Sequence, residues 1–119
     1  MNGPQVQWLA DGQLHLNHGP IDLICQAWGE AEAVKAGYAH AIARFATVLE
    51  ELVAELPALR AKNQALNGAL ALRMARAVRP FRPMFITPMA AVAGVVADDI
   101  LTHIAVPGVR RAYVNNGGD

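Results

Sequence analysis

Hydrophobic positions along this chain change their period twice, and those changes mark out its elements. Val6, Trp8 and Ala10 alternate with polar neighbours, and Leu14 and Leu16 do the same, which is the pattern of strands with one buried face. Between them lies Asp11-Gly12, a pair suited to a type I′ turn, so the two strands are expected to form a hairpin. His18-Gly19-Pro20 reads as a second turn. "IDLICQAW", Ile21 to Trp28, follows as a third strand, which Gly29 breaks.

From Glu30 the period lengthens. Val34, Tyr38, Ile42, Phe45, Leu49, Leu52 and Leu56 recur at three and four residues, giving one apolar stripe on a long helix from about Glu30 to Glu55. Glu30 and Glu32 suit its positive end, and Pro57 limits it because the residue before a proline disfavours helical geometry. "ALRAKNQALNG" reads as a connection. Asn67 is the expected N-cap of a shorter helix to about Arg79, with Leu70, Met74 and Val78 inward. Pro80 and Pro83 bracket a loop. Thr87-Pro88 opens a further helix to about His103, and "VRRAYVN" closes as a strand after Pro107-Gly108.

This order predicts an α+β fold: an antiparallel sheet with one long and two shorter helices packed on it, in a single domain over 1–119. The last strand must find a partner among the early ones or pair with something absent. With 54% hydrophobic residues, the chain can bury a substantial core.

Charge and composition narrow the function. Ten basic and ten acidic side chains balance to a net charge of +0, against the basic surplus of a nucleic-acid binder. A neutral, apolar chain is expected to self-associate. The start "MNGPQVQWLADGQLHL" lacks the cationic end and apolar block of a signal peptide. The longest apolar stretch, Met89 to Ala97, is too short to span a membrane, so the expected setting is cytoplasmic. Cys25 has no second cysteine to pair with, and its apolar strand predicts a buried thiol. No serine occurs, which excludes a serine nucleophile. His15, His18, His40 and His103 show no metal-binding spacing.

Three stretches carry candidate chemistry. Ala90, Ala93, Gly94 and Ala97 give the last helix a small-residue face, open to tight packing on the sheet or to a flat ligand. Asp98 and Asp99 cannot share a face, so one is expected in solvent and the other on a donor. Arg60, Lys62, Arg73, Arg76, Arg79 and Arg82 fall in a region without acids, as a solvated flank or a phosphate site. The ending Asn115-Asn116-Gly117-Gly118-Asp119 is turn chemistry whose backbone N–H groups suit an anion.

Taken together, "AGVVAD" (Ala93 to Asp98) and "GVRRAYVNNGGD" resemble the ApbE family, the FAD:protein FMN transferases, and most of all its uncharacterised bacterial and archaeal branch. Gly94 and Asp98 match a helix motif, and Asn115, Gly117, Gly118 and Asp119 match a strand-end motif. The runs "ITPMAAVAG" and "AYVNNGGD" carry the same likeness. The resemblance implies FAD as cofactor and magnesium held in part by the Ala90 backbone carbonyl. It also implies a flavin site using Thr87, Ala90 and Gly94 on the helix with Asn116, Gly117, Gly118 and Asp119 on the turn. Ala93 and Thr87 stand where the family carries charged residues. Because the family's Gly-Gly-Asp turn is internal, the chain is expected to be an N-terminal part. It would then be non-catalytic as it stands, contributing part of a flavin or nucleotide pocket. The alternative is a magnesium-dependent FMN transferase in full-length form.

Overall fold

Two glycine-bearing turns set the register of the sheet. The computed structural model describes residues 3–61, 65–81 and 87–116. Its strands are β1 (Gln5–Trp8), β2 (Leu14–His18), β3 (Ile21–Gly29) and β4 (Val109–Asn116), and its α-helices α1 (Ala31–Phe45), α2 (Val48–Ala54), α3 (Leu56–Leu59), α4 (Ala69–Val78) and α5 (Val92–Ile104). The fold is α+β, with a four-stranded sheet in the order β1-β2-β3-β4 and every neighbouring pair antiparallel.

Asp11 and Gly12 both take positive φ, 63° and 76°, as a type I′ turn requires, and the Gln13 N–H reaches the Ala10 carbonyl at 3.4 Å. Ala10 belongs to this turn rather than to the strand the alternation predicted. At the next turn Gly19 has φ 57° and Pro20 follows, the order of a type II′ hairpin. That two-residue turn pairs His18 with Ile21 and so fixes every later pair of β2 and β3. The closing strand finds β3, from Gly29 with Val109 to Leu23 with Asn116, with a bulge at Trp28/Gly29. Gly29, at φ 147°, lies so close to the Gly108 carbonyl that no side chain fits there.

The chain divides into two compact units, Met1–Leu49 with Ala97–Asp119, and Glu50–Val96. In the first, Leu14, Leu16, Leu23 and Cys25 occupy one sheet face and are fully buried, as are Ala41 and, to within a few per cent, Tyr38 and Phe45 of α1. The Tyr38 hydroxyl accepts from the Ala27 N–H at 2.9 Å and donates to the Gly12 carbonyl at 2.8 Å, so one side chain ties α1 to β3 and to the first turn. Gly37 lets α1 meet the end of α5, since a methyl there would sit 2.5 Å from the Ile104 carbonyl oxygen. Arg44 donates to Asp99 at 2.6 Å while Asp98 is exposed, which is the division of roles expected of the two aspartates.

The long helical run is interrupted. At Thr47 the backbone bonds tighten to i−3, Thr47 N–H to Arg44 carbonyl at 3.4 Å, and the run resumes as α2. Of the expected stripe, Tyr38, Phe45, Leu49 and Leu52 are buried and Ile42 is half-buried. Val48 joins the buried set because the break rephases the face.

In the second unit, Leu70, Met74 and Val78 point inward on α4 as the spacing predicts. Asn67 is not the cap. The Glu55 carboxylate accepts from the Asn67 N–H at 2.5 Å and the Gly68 N–H at 2.8 Å, so the start of α4 is satisfied from α3's N-cap residue. Thr87 precedes a 3-10 turn, Pro88–Ala91, that leads into α5, and its side chain makes no cap hydrogen bond.

Candidate functional site

The second face of the sheet is where polar side chains gather. Strand alternation puts Gln5, Gln7, His15, Asn17, Asp22, Ile24, Gln26, Trp28, Arg111, Tyr113 and Asn115 opposite the core, and all are half-buried or exposed. All of them belong to the first unit.

At the β1–β2 end, Gln5 pairs with Asn17 and Gln7 with His15 across the strands. Asn17 pairs with Asp22 and His15 with Ile24, so His15 and Asp22 are diagonal neighbours. The His15 Nε2 and Asp22 Oδ1 form a close hydrogen-bonded contact. Asn17 Nδ2 donates to Asp22 Oδ1 and to the Ile21 carbonyl, both at 3.2 Å. The hydrogen bond from His15 holds the Asp22 carboxyl below its ordinary range, against a smaller opposing effect of burial. Gln5, Val6, Gln7, His15 and Asn17 line a cavity of about 270 Å³ beside this cluster. The side-chain amides of Gln5 and Gln7 make no hydrogen bond among the described residues.

The other end of the face is closed on itself. Arg111 lies 4.9 Å over the Trp28 ring, and Tyr113 sits 5.9 Å from it. The Tyr113 hydroxyl accepts from Gln13 at 2.9 Å and reaches Gln26 Oε1 at 3.3 Å, and Gln26 donates to the Asp11 carbonyl at 2.6 Å.

The residues singled out from the sequence lie elsewhere. A methyl placed on Gly94 would meet nothing within 4 Å, and Ala90, Ala93 and Gly94 are exposed, so no close packing uses the small face among the described residues. Thr87 is half-buried, and the Ala90 N–H bonds back to the Thr87 carbonyl at 3.0 Å. Asn116 is a strand residue paired with Leu23 and not part of a turn. Gly117, Gly118 and Asp119 lie outside the described residues, as do Lys62 and Arg82. The remaining basic residues include exposed Arg60, Arg76 and Arg79 and a half-buried Arg73 that has a partner. Cys25 is fully buried on the opposite face, with its thiol pushed up to about 12 by desolvation. Among the described residues no three His, Cys, Asp or Glu side chains come together as a metal site.

Sequence reasoning missed the His15–Asn17–Asp22 cluster because it sought helical spacings for the histidines. The signal was present in the turn. Once Gly19-Pro20 pairs His18 with Ile21, the residues facing outward on both strands follow by counting.

The fold and this face define an α+β protein with a hydrogen-bonding sheet surface. The chain belongs to the family described as AbpE bacteria, which matches residues 6–119. This corrects the resemblance to the ApbE flavin transferases, since nothing in the match connects the chain with FMN transfer. The small-residue motif carried no packing or site, since Gly94 stands in open space, and Gly117, Gly118 and Asp119 of the turn motif lie outside the described residues. No curated protein and no solved structure matches the chain. Among the described residues, no helix is long and apolar enough to cross a membrane.

Proposed function

We propose that this chain is a non-catalytic binding domain whose site is the polar cavity on the β1–β2 end of the sheet. The ligand class is a planar heterocycle of nucleotide or flavin type, read through hydrogen bonds at its edge. The observation carrying this reading is the convergence of Gln5, Gln7, Asn17 and His15 on one cavity, with the glutamine amides unengaged among the described residues. Carboxamides pair bidentately with heterocycle edges, which is how they read adenine. At about 270 Å³ the space suits a ring system rather than a whole drug-sized molecule.

The chemistry at hand favours binding over catalysis. His15 and Asp22 form an imidazole–carboxylate pair, but Cys25, the chain's one thiol, points into the other face. The free, buried thiol suits a cytoplasmic setting.

The test is an NMR titration of the full chain with adenosine and with FMN. Shifts should concentrate at Gln5, Gln7, His15 and Asn17. Gln7→Ala and His15→Ala should each weaken binding by about tenfold, as expected for losing one hydrogen bond worth about 1–3 kcal/mol, and Gln7→Ala should do so with the melting temperature little changed. Shifts absent from those four residues for both ligands would end the proposal. A second reading, contact with a partner protein, draws on exposed Trp28 (39%) and Tyr113 (36%) beside Arg111, residue types that dominate interface energetics.

A further inference from the structure

We infer that the cavity presents two hydrogen-bond acceptors of fixed orientation, His15 Nδ1 and Asn17 Oδ1, and therefore selects heterocycles that offer amino N–H donors. The inference rests on the proposed binding role of this cavity and adds which ligand edge it takes.

The orientation of Asn17 is settled by its partners. Its two contacts are the Ile21 carbonyl and an Asp22 carboxylate oxygen, both at 3.2 Å. A carbonyl and an ionised carboxylate can only accept, so the amide must turn its NH₂ toward both. Oδ1 is then left facing away, and it has no partner among the described residues. The amide flip that usually has to be assigned is here dictated by the network.

The same reasoning fixes the imidazole. The Asp22 carboxyl is held below its ordinary range by the hydrogen bond from His15, so it is a pure acceptor near neutral pH. His15 must therefore carry its proton on Nε2, the atom in contact with Asp22 Oδ1. In the neutral ring Nδ1 then bears a lone pair and accepts. No second hydrogen bond engages it among the described residues.

Two anchored acceptors thus line one wall, while Gln5 and Gln7 can rotate to offer either amide end. None of the five lining residues is a lysine or arginine, and an aspartate stands directly behind the wall, so an anion finds nothing there to neutralise it. The two N–H bonds of an exocyclic amino group such as adenine's can satisfy one acceptor each, while the adjacent ring nitrogens, which accept, fall to the rotatable Gln5 and Gln7 amides. The FMN ring edge, one N–H between two carbonyls, turns acceptors toward acceptors. Phosphate and carboxylate are disfavoured for the same reason.

The experiment compares adenosine, purine riboside (the same ring without the amino group) and FMN in NMR titrations of the full chain at mildly alkaline pH. Adenosine should bind about three- to tenfold more tightly than purine riboside, as expected for a hydrogen bond at a partly exposed site where water competes. FMN should bind more weakly than adenosine. Asp22→Asn, which keeps the shape but releases the histidine tautomer, should shrink the adenosine preference. Equal binding of adenosine and purine riboside at the cavity residues, or tighter FMN binding there, overturns donor selection while leaving the binding role intact. Shifts at none of the cavity residues with any of the three overturns both. The wild-type comparison stands even if the variant does not fold.

Discussion

Cys25 and Asp22 sit back to back on β3, three positions apart, and the sheet gives them opposite environments. Burial drives the Cys25 thiol up to about 12, so almost no thiolate forms at neutral pH. Iodoacetamide at about pH 8 should leave the native protein unlabelled and react only after denaturation, as mass spectrometry would show. Rapid native labelling would mean that the core face opens. Asp22 behaves in the reverse sense. Its folded-state pKa lies below the ordinary carboxylate value, so its pairing with His15 and Asn17 stabilises the fold above that ordinary value. The contribution fades as pH falls below about 4 and through the folded-state pKa, where the protonated carboxyl no longer matches its donors. Asp22→Asn should therefore flatten the acid limb of the stability curve measured by urea unfolding. An unchanged acid limb would show that the pair contributes nothing to folding.

At the scale of elements, two glycines in helices make the point that backbone freedom and backbone proximity are different reasons for the same residue. Glycine costs a helix interior about 0.5–1 kcal/mol relative to alanine. At Gly94 the added methyl meets nothing within 4 Å, so Gly94→Ala should recover roughly that amount. At Gly37 the methyl would lie 2.5 Å from the Ile104 carbonyl oxygen, which no rotamer change relieves. There the overpacking cost, about 1–3 kcal/mol, outweighs the propensity gain, so Gly37→Ala should destabilise. Urea midpoints of the two variants should move in opposite directions. Movement in the same direction would show that α1 and α5 do not meet as closely as 2.5 Å requires.

At the scale of the whole molecule, protection should follow strand position. β1 is exposed along all four residues and pairs on one side only, whereas β2 and β3 are each flanked on both sides and carry the fully buried Leu14, Leu16, Leu23 and Cys25. Amide exchange followed by NMR should be fastest in β1, slowest in β2 and β3, with the one-sided β4 between them. Uniform protection across the sheet would mean that it opens only by global unfolding. Among the described residues no strand pairs with the outer edges of β1 and β4, which are the places where another strand could add, and the neutral net charge offers little repulsion against it.

The amino-acid sequence by itself determined the elements and their inward faces. Alternation in β2, the Asp11-Gly12 and Gly19-Pro20 turns, and the Leu70–Met74–Val78 spacing all act over a few neighbouring residues, so they can be read without knowing the fold, whereas the alternation of β1 marks a strand whose Val6 and Trp8 stay exposed at the sheet's edge. The same holds for Cys25, whose burial follows from its place in an apolar strand. Only the tertiary structure decided what came together. The Thr47 interruption rephases a helical stripe that looked continuous, and Glu55, twelve residues away, takes the capping role expected of Asn67. The site belongs to the same class. His15, Asn17 and Asp22 are ordinary as a string, and Gln5 and Gln7 join them only through the β1–β2 register. Cross-strand pairing places side chains by register rather than by sequence distance. A one-residue shift in either turn would send the same residues to the opposite face.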